Sequence, residues 1–117
     1  TDIEYLEWIL AQGCFLGLDR YPGRLVSPHS RTVTLKRLMD LGYGERLCPS
    51  HDCICLHIHN EQADGSIPPE HDFMRSNPDQ YLYMHRHVIP ELMAMGATEA
   101  DIHMLFVDNP RRLFEGR

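Results

Sequence analysis

Apolar residues recur at helical spacing at the start of the chain. Ile3, Leu6, Ile9 and Leu10 fall on one face of a helix. Thr1-Asp2-Ile3-Glu4 has the form of a capping box, with a side-chain oxygen at each end for free backbone N–H groups, and Gly13 is placed to end the helix. The next run, Cys14-Phe15-Leu16-Gly17-Leu18, is short, apolar and without alternation. That pattern predicts a strand buried on both faces of a parallel sheet. It stops at Asp19-Arg20. A loop carrying Pro22, Gly23 and Pro28 leads to a second predicted helix from about Ser30 to Leu41, with Val33, Leu38 and Leu41 inward and Gly42 as its stop. Arg46-Leu47-Cys48-Pro49-Ser50 reads as a second strand ending in His51-Asp52, although Pro49 cannot donate to a ladder.

A long segment from Cys53 to Ser76 follows, rich in His, Gly, Pro and acidic residues. Loops of that length are usually functional or disordered. Asn77-Pro78-Asp79-Gln80 then predicts a helix start, the helix carrying Leu82, Val88, Ile89, Leu92 and Met93, with a kink at Pro90 and an end at Gly96. Thr98 is expected to cap a short helix to about Phe106, and Asn109-Pro110 a last one holding Leu113 and Phe114. The alternation of helix and strand implies parallel strands with helical crossovers. Two strands cannot close a barrel, and they leave open edges. The chain is therefore expected to be part of something larger, and its opening without Met fits that expectation.

Composition changes this picture little. Of the 117 residues, 43% are hydrophobic and 24% charged, as in one ordinary globular domain. The net charge of −6 argues against a nucleic-acid footprint. No apolar run is long enough to span a membrane, and no secretory leader pattern is visible. Cys14, Cys48, Cys53 and Cys55 do not make a secreted-scaffold framework, so a reduced, cytoplasmic setting is expected.

Chemistry is expected where strands end and loops begin. Those positions hold Asp19-Arg20 and His51-Asp52. A charge just past an apolar run is costly unless it meets water, a partner or a metal. A solvated or salt-bridged strand end is the plain alternative to a functional site.

Gly17-Leu18-Asp19-Arg20-Tyr21, Ser50-His51-Asp52 and Val107-Asp108-Asn109-Pro110-Arg111-Arg112-Leu113-Phe114 resemble, in order and spacing, the last third of the phosphotriesterase family of amidohydrolases. Val88-Ile89-Pro90-Glu91-Leu92 is similar to that family's last long helix. Arg20 makes the chain look more like the lactonase and phosphotriesterase-related branches than the paraoxon-degrading enzymes. The resemblance implies an α/β fold: the C-terminal part of a (β/α)8 TIM barrel, with Cys14–Arg20 as strand seven, Leu47–Asp52 as strand eight and strands one to six upstream. It implies that residues 1–117 form the C-terminal segment of one barrel domain. It also implies two divalent metal ions, usually zinc, that activate water to hydrolyse an ester, lactone, amide or phosphoester.

On that resemblance Asp52 is the metal ligand and the proton acceptor, and Arg20 contacts substrate. Cys53 and Ile54 open loop eight, the selectivity wall running to about Phe73. Asp19 is assigned a structural or orienting part, and His51, one residue before the ligand, points away from the lumen by the strand period of two. The expected partners are a small-molecule substrate, the remainder of the barrel on the same or a second chain, and a second copy in a homodimer. The family's other metal-binding residues, a His-x-His pair, a bridging lysine and two later histidines, all lie upstream. The 117 residues alone are therefore expected to be inactive.

Cys53-x-Cys55-x-His57-x-His59 offers a rival, a small non-catalytic zinc module, since four such side chains on an extended strand share one face. Structural zinc sites usually join two separated ligand pairs, which favours the loop reading. A barrel that binds ligand without catalysis is the other alternative. His85 and His87 point about 200° apart on a helix and cannot share a metal. His103, Trp8 and Arg111-Arg112 read as surface or packing residues, and Met39, Met84, Met93, Met95 and Met104 as core fillers.

Overall fold

A computed structural model of the chain describes residues 2–23, 25–53, 64–66 and 77–116. Helix α1 spans Ile3–Ala11 and is capped by Asp2, whose carboxylate accepts from the Tyr5 N–H at 3.1 Å. The cap is thus one residue later than the Thr1 expected; Thr1 lies outside the described residues.

Strands β1, Leu16–Leu18, and β2, Leu47–Pro49, pair in parallel with Leu16 opposite Leu47 and Leu18 opposite Pro49. The Ser50 N–H extends the ladder to the Leu18 carbonyl at 3.1 Å. Alternate N–H groups of a strand point to the same neighbour. The N–H that Pro49 lacks therefore falls on the edge turned away from β1, and the proline costs this pairing nothing. β1 is half-buried, with Gly17 exposed, rather than covered on both faces as its apolar run predicted.

Between the strands runs α2, Pro28–Leu38, capped by the Ser27 hydroxyl. It buries Thr32, Thr34, Leu35 and Leu38. Val33 and Leu41, expected inward, are exposed. Both threonine hydroxyls donate to carbonyls one turn back, Thr32 to Pro28 at 3.0 Å and Thr34 to Ser30 at 2.8 Å. With its polar atom satisfied, each threonine can face the core. A π-helical turn at Met39–Tyr43 follows, and Gly42 stops the helix at φ 91°.

Asn77 starts the next helical segment, its side-chain oxygen accepting from the Gln80 N–H at 3.0 Å. A 3-10 turn at Gln80–Leu82 and a π-helical turn at Met84–Val88 lead into α3, Ile89–Ala94. The kink expected at Pro90 takes the form of that π turn: the Ile89 N–H bonds to Met84, one residue farther back than in an α-helix. Thr98 and Asp101 form a reciprocal capping box on α4, Glu99–His103. A second π turn, Met104–Asp108, joins it directly to α5, Asn109–Glu115, where Pro110 again sits just beyond the turn.

Asn109 is therefore no cap: it has helical backbone angles and is fully buried. The core gathers Leu10, Leu35, Leu38, Leu47, Met84, Val88, Leu92, Ala97 and Leu105 around buried Tyr21. Met84 fills this core as expected, whereas Met93 is exposed. Among the described residues, no helix is long and apolar enough to cross a membrane.

Candidate active site

The parallel pairing brings the carboxyl ends of β1 and β2 to the same edge of the sheet. The chain leaves β1 through Asp19 and Arg20 and leaves β2 through His51 and Asp52. Arg20 and Asp52 both adopt left-handed backbone, φ 64° and 48°. Aspartate tolerates that region, but arginine seldom enters it. A residue so held costs about 1–3 kcal/mol and persists where its surroundings over-determine it.

Arg20 Nε lies 3.9 Å from Asp52 Oδ2 and 3.8 Å from Asp19 Oδ1, so one guanidinium faces two carboxylates. More than half of each side chain is open to solvent. Exposed pairs of this kind add about 0.2–1 kcal/mol, too little to hold the left-handed turns.

The backbone beneath is held from α2. Arg31 Nη1 donates to the Asp19 carbonyl at 2.7 Å and Arg31 Nε to the Val26 carbonyl at 3.4 Å. Tyr21, next to Arg20, is 1% exposed and anchors the turn in the core. Its hydroxyl has no hydrogen-bond partner of good geometry among the described residues; neighbouring Thr32 already donates to Pro28. Burial pushes the Tyr21 phenol up to about 12.

On the β2 side, His51 Nδ1 accepts from the Cys53 N–H at 3.0 Å, and its ring stands edge-on to Tyr81 with centroids 5.0 Å apart. His51 is thus engaged with the helical segment while Asp52 faces Arg20. Cys53 is half-buried beside them. Cys48 is within β2, and burial raises its thiol above the ordinary range, which favours the neutral form. Ile54, Cys55, His57, His59 and Asp72 lie outside the described residues. Among the described residues, no group of three or more His, Cys, Asp or Glu is placed to hold a metal ion. Asp52 is chemically suited to be one ligand, but one carboxylate is not a metal centre.

Farther out, Asp79 accepts from Arg86 at 2.5 Å and from His87 at 2.6 Å, contacts that lower its carboxyl below the usual range, with the His87 bond the larger cause. His85 is exposed, and His103 pairs with Asp108 at 3.1 Å. Tyr21 entered the sequence reading only as the end of a motif, without a role, and Arg31 did not enter it. A Ser-Arg-Thr triplet at a helix start carries no signal that its arginine will reach back to the preceding strand end.

Residues 1–114 match the sequence profile of the Phosphotriesterase family. The chain is 35% identical over 118 aligned positions to the phosphotriesterase homology protein of Mycobacterium tuberculosis, an alignment covering 98% of this chain and 33% of that protein. It is 31% identical to the aryldialkylphosphatase of Saccharolobus solfataricus, over 97% of this chain and 35% of that one. Its fold superposes on the solved phosphotriesterase from Mycobacterium tuberculosis with a TM-score of 0.81 and 34% identity, covering 97% of this chain and 33% of the other. The chain spans about a third of the length of the curated relatives it matches.

Proposed function

The chain belongs to the phosphotriesterase family, and from that premise we propose that its 117 residues are the C-terminal third of a metal-dependent hydrolase barrel, with β1 and β2 as strands seven and eight. The observation that carries the reading is the meeting of Arg20 and Asp52 at the carboxyl ends of two adjacent parallel strands, both on left-handed backbone. In barrels of alternating strands and helices that end is where chemistry is done.

In this reading Asp52 contributes one carboxylate ligand to a centre of two divalent ions, zinc by preference, and the other ligands come from residues outside this chain. When bound, the ions supply an acidified water for attack on an ester, lactone, amide or phosphoester. The Asp52 carboxylate accepts a proton as the reaction proceeds. Arg20 binds the carbonyl or phosphoryl oxygen that gains negative charge, and its exposed guanidinium is free to turn toward it. Cys53 and Ile54 begin the wall that selects the small-molecule substrate. The remainder of the barrel, on the same or a second chain, is the obligatory partner, and a homodimer is the expected assembly.

Asp52→Ala in the complete protein tests the reading, with a 4-nitrophenyl dialkyl phosphate and a small lactone as probes. Hydrolysis is expected to fall at least about 100-fold, the scale of losing a general base, with less zinc retained per protein. Wild-type turnover together with full metal content would remove Asp52 from the site.

A further inference from the structure

We propose that Arg31 is the positioning residue of this site: its guanidinium ties together the two ends of the 19–26 turn and so fixes the backbone from which Arg20 reaches Asp52. The inference depends on the reading of Arg20 as a substrate contact.

Three independent observations meet at Arg31. Its two donors take carbonyls from opposite ends of the turn, Asp19 at 2.7 Å and Val26 at 3.4 Å. The Asp19 carbonyl belongs to the peptide that leads into Arg20, so this bond constrains the approach to the left-handed residue at φ 64°. Gly23, itself at φ 48°, closes the turn so tightly that an added Cβ would come within 2.3 Å of the Arg20 carbonyl and 2.9 Å of Arg31 Nη2. A planar guanidinium with several fixed donors can satisfy two carbonyls in different directions. A lysine ammonium has no such fork. The exposed Arg20–Asp52 pair is too weak to impose this backbone, so the constraint comes from beneath, from Arg31 and buried Tyr21.

The test is kinetic, on the complete metal-loaded protein with the aryl phosphate and lactone probes. Arg31→Lys and Arg20→Ala are each expected to lower kcat/KM by about 10- to 100-fold, the scale of misplacing a substrate-orienting group by an ångström. Their kcat and KM are expected to move in the same sense, with metal content unchanged. The double variant is expected to fall little below Arg20→Ala alone, because both changes remove one function. Gly23→Ala strains the same contact from the other side; it is expected to give the same kinetic pattern and serves if the Arg31 variants fail to fold.

Three results would overturn the proposal. The first is wild-type kcat/KM in Arg31→Lys or Gly23→Ala, in a protein that Arg20→Ala impairs. The second is a double variant in which the two single losses multiply. If Arg20→Ala itself leaves kinetics intact, the reading of Arg20 fails, and the positioning role falls with it.

Discussion

Asn109 Nδ2 donates to the Gly44 carbonyl at 2.7 Å and to the Leu47 carbonyl at 2.8 Å, so a fully buried amide on α5 grips the turn before β2 and the first residue of β2 together. Arg112 donates to the Asn109 side-chain oxygen at 3.3 Å, leaving both amide hydrogens for the two carbonyls. The last helix is thereby locked to the strand that leads to Asp52.

Asn109→Ala should destabilise the protein by about 1–3 kcal/mol, since it strands the buried Leu47 carbonyl, while the Gly44 carbonyl keeps its bond from the Leu47 N–H. Asn109→Asp should do no better, because a carboxylate would face two carbonyl oxygens. Urea unfolding of the complete protein measures this. A loss under about 0.5 kcal/mol, the size of an ordinary surface change, would mean that the two bonds are not what holds β2.

Tyr21→Phe should leave neutral-pH stability unchanged or raise it by up to about 1 kcal/mol, because the lost hydroxyl is buried without a good partner. It should also alter the alkaline limit. The folded phenol titrates near 12 and its ordinary value is 10.0, so the folded state favours the neutral form. That contribution is complete below pH 10 and is lost as pH rises through about 12. Thermal melts should show the wild type losing stability over that window more steeply than Tyr21→Phe. Parallel curves would mean that the ring is not held as described.

Asp79 works in the opposite direction. Hydrogen bonds from His87 and then Arg86 lower its carboxyl below the ordinary 3.8. A depressed carboxyl contributes stability that is present above the ordinary value and is lost as pH falls through the lower, folded-state value. Asp79→Asn should therefore flatten the acid limb of a melting-temperature profile below pH 3.8. An acid limb identical in both proteins would show that the cluster at the start of this helical segment makes no contribution to acid sensitivity.

The alternation of elements was legible because periodicity of apolar residues and Gly or Pro punctuation report directly on backbone. The two strand ends were legible for a related reason: Asp19-Arg20 and His51-Asp52 are charges set abruptly after apolar runs, and the parallel pairing does bring them to one edge. Polar groups satisfied at long range were not legible. Thr32 and Thr34 look like surface residues until their hydroxyls bond back along α2, and they displace Val33 and Leu41 from the inward face. Asn109-Pro110 has the form of a helix start, yet the amide serves carbonyls far away in sequence. Arg31 escaped notice likewise, because backbone carbonyls have no residue identity to be read.

Metal content separates the barrel reading from a small zinc module. Among the described residues, no group of three or more His, Cys, Asp or Glu is placed to hold an ion, and Cys55, His57 and His59 lie outside those residues. On the barrel reading the 117-residue chain should bind zinc weakly and hydrolyse neither probe, whereas the complete protein should hold about two ions, lose activity in a chelator and regain it with zinc. Mass spectrometry under native conditions and metal analysis after dialysis give both numbers. Tight stoichiometric zinc in the isolated chain, lost on Cys53→Ser and Cys55→Ser but kept on Asp52→Ala, would move the metal from the strand ends to the segment after them and replace the barrel reading of this site.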